Sequence, residues 1–459
     1  MSSISTSSIS IPRLRDSFDG RVTAPGDAGY DQARKVFYGK YDRRPAAVVR
    51  PADAAEVARV ATLAADTGLE LAVRSGGHSL AGHSTSDGGI VLDLSELTAL
   101  DLDLDGRTAW AQAGLTAGAY TTAVGGHGLA TGFGDTASVG IGGLTLGGGV
   151  GFLVRRHGLT IDNLLAAEVV TADGRVLQVD AESHPDLFWA IRGGGGNFGV
   201  ATRFRYRLHE LPSIVGGMLL LPGSPEVIEA LMATAAAAPE ELSLIANVMV
   251  APPMPFLPPA AHGQLVVMAL LCYAGDAEAG ERAVAPFRAL AEPIVDMVRP
   301  MPYAGLFEPA DDMEVVEEST RTMFMDAFDA RAATTILEQL QATTAPMAVA
   351  QLRVLGGAMA RVPADATAFA HRDRPIMAGV GCVYQDAGER ATHEAWADGF
   401  AAALRGGPGA YVNFLSNEGT DRVREAYPGP TWDRLVEVKR RYDPGNLFRL
   451  NQNIPPGPA

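Results

Sequence analysis

A histidine in a glycine-rich turn is the residue of this sequence whose surroundings best suit chemistry. His78 follows two glycines and precedes Ser79, directly after a segment predicted to be a strand. An imidazole can serve as a base, a metal ligand or a nucleophile near neutral pH, although a lone histidine is more often a surface or core residue. A metal site through His78 and His83 is disfavoured, because no acidic or thiolate ligand lies at a suitable spacing. Residues 77–81 resemble the nucleophile turn of serine hydrolases only in part, since the closing glycine and the following helix are missing.

A second candidate element is the glycine block at residues 139–151. Seven of its thirteen residues are glycine, a density that is costly in a helix or an ordinary strand, so the block is predicted to form turns. Without Cβ atoms, such turns let backbone N–H groups come close to a phosphate. We therefore predict a backbone cradle for a pyrophosphate, with tight turns between core strands as the alternative.

A third block places Gly194, Gly196 and Gly199 at the spacing of the dinucleotide-binding fingerprint. That fingerprint requires a helix after the glycines, with its N-terminus facing the pyrophosphate. Here residues 200–208 alternate between apolar and polar types, which predicts a strand. NAD binding in a Rossmann fold is therefore disfavoured.

The elements that position His78 form a predicted strand–helix–strand unit over residues 47–73. Asp53 and Glu56 resemble a capping box at the start of the helix, and Gly68 suits its end. Residues 69–73 then form a strand that leads into the His78 turn.

The composition changes after residue 211, where the long glycine blocks end. From residue 216 to 420, alanine-rich helices alternate with apolar strands, which predicts an α+β domain with a sizeable sheet. The helices are predicted at 225–237, 278–290, 330–342 and 393–404, and the strands at 242–250, 264–273, 347–355 and 375–384.

The overall charge and the cysteines restrict the classes of partner. The chain of 459 residues has 53 acidic and 37 basic residues and a formal charge of −16, which disfavours nucleic acid and membrane partners. Cys272 and Cys382 lie far apart and form no metal or disulfide motif, so both are interpreted as buried thiols. The Ser-rich residues 1–10 lack the apolar core of a secretory signal, and the protein is predicted to be cytoplasmic.

Taken together, these motifs resemble the berberine-bridge-enzyme-like FAD-linked oxidases of the vanillyl-alcohol oxidase (p-cresol methylhydroxylase) flavoprotein superfamily. The resemblance spans roughly residues 40–459. It implies an α+β fold in which an FAD-binding domain of the p-cresol methylhydroxylase type is split between residues 1–215 and 421–459. Residues 216–420 would form a substrate domain whose antiparallel sheet is covered by helices. The motifs that carry the resemblance are residues 74–79 with Gly82, 134–151, 162–164 with 168–171, 189–199, 411–413 and 451–454.

The resemblance also implies which residues hold the cofactor. His78 is expected to be bonded to the 8α carbon of FAD. The other expected FAD-binding residues are Arg74, Ser75, Gly76, Gly77, Ser79, Gly82, His83, Gly134, Asp135, Ser138, Val139, Gly140, Gly142, Gly143, Gly148, Gly151, Glu168, Val170, Gly199, Asn451 and Asn453.

Three positions depart from the pattern of relatives or modify it. Many relatives make a second covalent bond from a cysteine where this chain has Thr136, and a hydroxyl cannot replace that thiolate, so a single link is predicted. The histidine that usually follows the paired glycines is replaced by Leu144. Relatives with a small residue at the position of Val139 tend to admit O2 to the flavin, whereas bulkier residues there impede it. Val139 therefore favours an oxidase, with simple packing under the ring as the alternative.

The reaction implied by the resemblance is hydride removal from a small organic substrate (an alcohol, sugar, amine or secondary metabolite), with O2 reduced to H2O2. Residues 216–420 contain no lysine, so the substrate domain cannot supply a lysine base. Tyr411 is the first candidate for the base, Asn413 would orient it or the substrate, and Tyr384 and Gln351 are the next candidates. The alternatives are a flavin dehydrogenase with another electron acceptor, a cofactor-loaded binding protein and a serine hydrolase.

Overall fold

Short parallel strands carry the chain to the His78 turn, as predicted. The computed structural model describes residues 10–19, 21–307 and 317–457. In the first sheet the order is β1-β2-β4-β3; β4 runs parallel to β2 and β3, and β1 is antiparallel to β2. These strands and their helices are β1 (Val22–Thr23), β2 (Ala47–Val49), β3 (Leu71–Arg74) and β4 (Ile90–Asp93), with α1 (Ile11–Ser17), α2 (Tyr30–Ala33) and α3 (Ala54–Thr67).

Helix α3 begins and ends where its capping residues predict. The Asp53 carboxylate accepts a hydrogen bond from the Glu56 N–H at 2.8 Å. The Glu56 carboxylate turns to the Ala52 N–H, also at 2.8 Å, so only half of the predicted capping box forms. Gly68 ends the helix with φ +68°, a left-handed conformation that favours glycine.

A second, antiparallel sheet completes the N-terminal part, with strand order β5-β6-β10-β8-β9. Strand β10 directly follows Gly199, so no helix is present where a Rossmann site needs one. The elements are β5 (Leu100–Asp103), β6 (Thr108–Gln112), β7 (Leu129–Ala130), β8 (Leu164–Val170), β9 (Val176–Asp180), β10 (Val200–Arg207) and β11 (His209–Glu210), with α4 (Ala117–Gly125), α5 (Ile141–Gly147), α6 (Val154–His157), the 3-10 helix Thr160–Asn163 and α7 (Pro185–Ala190).

The middle of the chain forms a large antiparallel sheet covered by helices, as predicted. Its order is β15-β12-β14-β13-β18-β19-β17, with β16 paired to β12. The strands are β12 (Ile214–Pro222), β13 (Leu242–Val250), β14 (Leu265–Tyr273), β15 (Val295–Asp296), β16 (Arg299–Met301), β17 (Glu317–Met325), β18 (Met347–Val354) and β19 (Ile376–Tyr384). The helices are α8 (Pro225–Ala237), α9 (Ala277–Arg288), α10 (Ala330–Ala342), α11 (Ala358–Arg361) and α12 (Arg390–Leu404), with 3-10 helices at Pro259–Ala261, Tyr303–Leu306 and Ala387–Glu389.

In the described part of the chain, no helix is both long and apolar enough to cross a membrane.

The sequence did not predict strands β12 and β17. Gly216 and Gly217 interrupt the apolar pattern of β12, and Glu317, Glu318 and Arg321 make β17 read as polar. Both strands are fixed by their neighbours: β12 pairs with β14 over eight residues, and β17 pairs with β19 along its whole length.

The C-terminal segment packs against the first part of the chain rather than against the large sheet. The core cluster that holds most of the buried residues up to Ile214 also contains residues between 410 and 454, whereas residues 215–404 supply a separate cluster. Buried Lys439 donates to the Asn197 carbonyl at 2.7 Å and to Asp443 at 2.6 Å. These bonds hold the C-terminal segment against the first part of the chain. The exact boundaries at residues 215 and 420 stay predictions. The last elements are the 3-10 helix Val412–Phe414, α13 (Thr420–Ala426) and α14 (Pro430–Tyr442).

Candidate active site

A cavity of about 450 Å³ lies where the glycine turns meet the large sheet and the C-terminal segment. Its volume is within the range of about 300–1,000 Å³ that is common for ligand sites. The wall consists mainly of the cavity-facing side of β18 and of residues 37–38, 75–80, 83–84, 134–136, 139–140, 142–144, 195–197, 199–201, 411–415 and 450–452.

His78 lies on this wall and is held from two sides. Its Nε2 is 3.1 Å from the Ser138 hydroxyl, and its ring stacks on Phe37 with 4.0 Å between the centroids. Burial lowers the pKa of His78 to about 4. The imidazole is therefore neutral at pH 7, with a lone pair available for a bond or a hydrogen bond.

The first two glycine turns touch each other through their backbones. A Cβ on Gly76 would lie 2.3 Å from the Gly140 nitrogen, and a Cβ on Gly140 would lie 2.1 Å from the Ser75 hydroxyl. Ser75 donates to the Ala113 carbonyl at 2.6 Å and so fixes the start of the His78 turn. Only glycine permits this close contact between the backbones. The glycines at these two positions therefore serve packing rather than chain flexibility.

The glycine block does not consist of turns alone, and this prediction was wrong. Residues Ile141–Gly147 form helix α5 despite three glycines. Packing excludes a side chain at Gly147, where a Cβ would lie 2.0 Å from Asn413 Oδ1, and leaves little room at Gly142, where a Cβ would meet Ser75 at 3.1 Å. Tertiary contacts therefore offset the propensity cost of these glycines.

Tyr411 and Asn413 lie together on the cavity wall, as predicted. The Tyr411 oxygen accepts hydrogen bonds from the Gly149 N–H at 2.8 Å and from Asn413 Nδ2 at 3.0 Å. Asn413 Nδ2 also donates to the Leu144 carbonyl at 3.0 Å. Burial raises the pKa of Tyr411, while these two donors and the charge of Arg353 act in the opposite direction because they favour the phenolate.

Gln351 also lies on the wall, in a polar cluster that connects the sheet to the glycine block. Its Nε2 donates to Asn247 Oδ1 at 2.9 Å, and its Oε1 accepts hydrogen bonds from Arg353. Arg353 in turn pairs with the Asp135 carboxylate across the cavity. Gln351 therefore positions Arg353, and we do not assign it the role of a base.

Tyr384 does not line the cavity, and its predicted position over the site was wrong. Gln351 pairs with Gly379 in the sheet, so these two residues share a face. Tyr384 lies five residues further along β19 and faces the opposite side, because side chains alternate along a strand. It packs in the helix-covered core, with its hydroxyl 3.0 Å from Ser319 and its ring on His393.

Most of the predicted cofactor residues line the cavity. Their direct contact with a cofactor stays a prediction. Those on the wall are Ser75, Gly76, Gly77, His78, Ser79, His83, Gly134, Asp135, Val139, Gly140, Gly142, Gly143, Gly199 and Asn451. Those that do not line it are Arg74, Gly82, Ser138, Gly148, Gly151, Glu168, Val170 and Asn453.

The residues off the wall have other contacts. Arg74 binds the Asp93 carboxylate and the carbonyls of Ala33 and Lys35, which anchors the segment that carries Phe37. Glu168 accepts a hydrogen bond from Thr202 at 2.7 Å on the second sheet, and Val170 is buried opposite Val200.

Backbone conformation and packing explain why glycine occurs at the other predicted cofactor positions off the wall. Gly82 has φ +72° and lies under the Tyr41 ring, and Gly148 has φ +137° beside Phe369. A Cβ on Gly151 would collide with the Phe133 carbonyl at 1.5 Å.

Sequence reasoning missed several residues of the wall. Phe37 and Tyr38 precede the His78 turn by about forty residues and belong to no motif. Arg353 could have been found, because it lies two residues after Gln351 on the same strand and so faces the same side. Phe414 directly follows Asn413 and was also missed.

Comparison with known proteins identifies the family. A model of an FAD-binding domain matches residues 45–180, and a model described as berberine and berberine like matches residues 410–455. (R)-6-hydroxynicotine oxidase of Paenarthrobacter nicotinovorans is 32% identical, with 96% of this chain and 97% of that protein aligned. This chain is a berberine-bridge-enzyme-like FAD-linked oxidase.

Other relatives of this FAD-linked oxidase span the same length. The crystal structure of 6-hydroxy-D-nicotine oxidase from Arthrobacter nicotinovorans superposes with a TM-score of 0.85 at 29% identity, covering 96% of this chain and 98% of that one. Xylooligosaccharide oxidase of Thermothelomyces thermophilus is 28% identical over 95% of this chain and 92% of that protein. The fold is therefore the split p-cresol methylhydroxylase type that the sequence motifs imply.

The residues of the cavity fit FAD. The wall includes Gly143, where open space stands in place of a side chain and lets the backbone approach a pyrophosphate, and it extends to Tyr411. Among the described residues, nothing bonds to the buried Nε2 of His83, a residue of this wall. Buried polar atoms usually have a partner, and a bound polar cofactor would supply one.

Proposed function

We propose that this FAD oxidase carries its cofactor covalently on His78, oxidises a small organic substrate and reduces O2 to H2O2. The observation that carries the proposal is the fixed, neutral imidazole beside the glycine turns. A neutral ring nitrogen keeps the lone pair that a bond to the 8α carbon requires. Thr136 lies on the same wall, and its hydroxyl is not a thiolate, so His78 is proposed as the single covalent link.

When bound, FAD supplies the hydride acceptor and then passes the electrons to O2. The chain's own residues handle the substrate and its proton. We assign proton removal from the substrate O–H or N–H to Tyr411, whose oxygen is held by two donors that stabilise the phenolate. Asn413 is a positioning residue, because it fixes this oxygen relative to Leu144.

Val139 supports the use of O2, because it lies on the cavity wall at a position where small residues in relatives admit oxygen. We further propose that the substrate is a small molecule taken from the cytoplasm. The relatives provide two starting compounds for a substrate search, 6-hydroxynicotine and a xylooligosaccharide.

The covalent link is tested on acid-precipitated protein. The wild-type pellet is expected to stay yellow, and the His78→Ala pellet is expected to be colourless because FAD then leaves with the supernatant. His127→Ala is the matched control, since His127 is exposed and off the wall. A yellow His78→Ala pellet, or a colourless native protein, would contradict the proposal.

The oxidase activity is tested by a peroxide assay over a panel of alcohols, sugars and amines that includes the two compounds named above. Peroxide formed in proportion to substrate consumed supports an oxidase. Flavin reduction by a substrate without peroxide would instead identify a dehydrogenase that uses another acceptor.

A further inference from the structure

The guanidinium of Arg353 lies on the cavity wall and is only partly used by the protein. Arg353 is 4% exposed. Its Nε and Nη2 donate to Gln351 Oε1 at 3.1 and 2.7 Å, and Nη2 also pairs with Asp135. Among the described residues, no group accepts from its buried Nη1. A desolvated charged donor without a partner is costly, so this end of the side chain is suited to a ligand.

The position of Arg353 is fixed before any ligand binds. Gln351 and Asp135 hold one edge of the guanidinium, and the Phe414 ring lies 5.3 Å from its carbon. Asn247 holds the Gln351 amide in turn. A donor held in this way binds an acceptor at little cost in side-chain entropy.

The charges on the wall indicate which acceptor suits Arg353. Of the residues that line the cavity in the described ranges, Asp135 is the one carboxylate and Arg353 the one guanidinium. The two charges neutralise each other, so the pair offers no net positive charge to an anionic ligand. Such a ligand at Nη1 would also be repelled by the Asp135 carboxylate. An uncharged oxygen or nitrogen acceptor has no such repulsion.

We propose that Arg353 Nη1 is a specificity determinant that binds an uncharged hydrogen-bond acceptor of the substrate, such as a carbonyl, hydroxyl or ring nitrogen. The proposal rests on the proposed function for the location of the substrate between the sheet and the cofactor. Arg353 belongs to the sheet side of the cavity, with Gln351, whereas most of the predicted cofactor contacts on the wall belong to the glycine turns. A site built for such a hydrogen bond rejects analogues that lack the acceptor.

The test is isothermal titration calorimetry of the holoenzyme with three probes of similar size: benzamide, toluene and benzoate. Benzamide has an uncharged acceptor, toluene has none, and benzoate carries a charge. We expect benzamide to bind about tenfold or more tightly than toluene, and benzoate more weakly than benzamide. In Arg353→Met the preference for benzamide over toluene is expected to disappear.

Two further variants keep the result interpretable. Asp135→Asn combined with Arg353→Met removes both charges, so no buried carboxylate is left without its partner, and it should lose the same preference. Arg361→Met is the matched control, because Arg361 pairs with Glu240 on the exposed surface. It should keep the preference.

Four results would overturn the proposal. They are equal affinity for benzamide and toluene, no heat from benzamide, a preference for benzamide that survives in Arg353→Met, and a change in the visible flavin spectrum of that variant without any probe. The last result would make the cofactor the partner of Nη1. Failure of the covalent link is seen separately, in the colour of the His78→Ala pellet, which does not depend on Arg353.

Discussion

Tyr411 shows at the scale of one residue how hydrogen bonds and burial oppose each other. Burial raises its pKa, and the donors from Gly149 and Asn413 counteract that effect. In the described part of the chain, no group accepts the Tyr411 hydroxyl proton. The oxygen is therefore fixed while the proton remains free to exchange with a substrate in the cavity.

Replacing Tyr411 by Phe tests this role. The rate of flavin reduction, measured by stopped flow, is expected to fall about 100- to 10,000-fold, as is typical when acid–base assistance is lost. In the wild type the rate should rise with pH, because the active phenolate form is the minor one below its raised pKa.

The matched control for this variant is Tyr384→Phe. Tyr384 is a buried tyrosine of the other sheet face, bonded to Ser319, and it should keep the wild-type rate of flavin reduction. If the rate of flavin reduction fell less than tenfold in Tyr411→Phe, or fell equally in Tyr384→Phe, Tyr411 would not be the base.

At the scale of the element, helix α5 connects the glycine block to this tyrosine. It contains Gly143, where an added Cβ would meet no protein atom, and Gly147, where an added Cβ would collide with Asn413. The two positions share one helix and one residue type, so they separate helix propensity from packing.

Gly147→Ala is expected to displace Asn413, since its new methyl would lie 2.0 Å from the amide oxygen. Tyr411 would then lose a donor, and flavin reduction should slow by about tenfold or more. Gly143→Ala, whose methyl would meet no protein atom, is expected to raise the free energy of unfolding by up to about 1 kcal/mol, the helix propensity gain of alanine over glycine. Stopped-flow rates and urea denaturation measure the two effects. Equal behaviour of the two variants would contradict this account of α5.

At the scale of the whole molecule, α6 connects the N-terminal part to the large antiparallel sheet and its helices. Arg155 donates to the carbonyls of Ala235 and Leu242 at 2.9 and 2.8 Å. In the same helix, His157 stacks on His209 with 3.8 Å between the ring centroids. Burial lowers the pKa of His157 to about 3 and that of His209 to about 4. The nearby charge of Arg156 acts in the same direction on both.

This histidine pair predicts a loss of stability in acid. Both rings are neutral in the folded protein, whereas in the unfolded chain they take up protons below about pH 6.5. Their contribution is therefore fully present above pH 6.5 and decreases as the pH falls toward about 4. We expect the free energy of unfolding to decrease less in acid when both histidines are replaced by Gln. At pH 4.5 the difference in this decrease should be roughly 2 kcal/mol, measured by urea denaturation. The exposed His127→Gln is the control, and an unchanged pH dependence in the double variant would contradict the prediction.

The sequence by itself determined the features that depend on local backbone geometry. Glycines mark the places where two chain segments touch or where φ is positive, and the alternation after Gly199 predicts a strand rather than a helix. The capping residues of α3 act within a few positions of each other, so the unit that carries His78 could be predicted. The family resemblance rests on these same local motifs.

Only the tertiary structure decided how distant side chains meet. Asp135 and Arg353 are 218 positions apart, and no local pattern predicts that they form an ion pair. The face on which Tyr384 lies depends on the register between β18 and β19, and a shift of one residue reverses it. The glycines of helix α5 pack against Ser75 and Asn413, which lie far away in the sequence, so a local sequence window does not contain the contacts that support this helix.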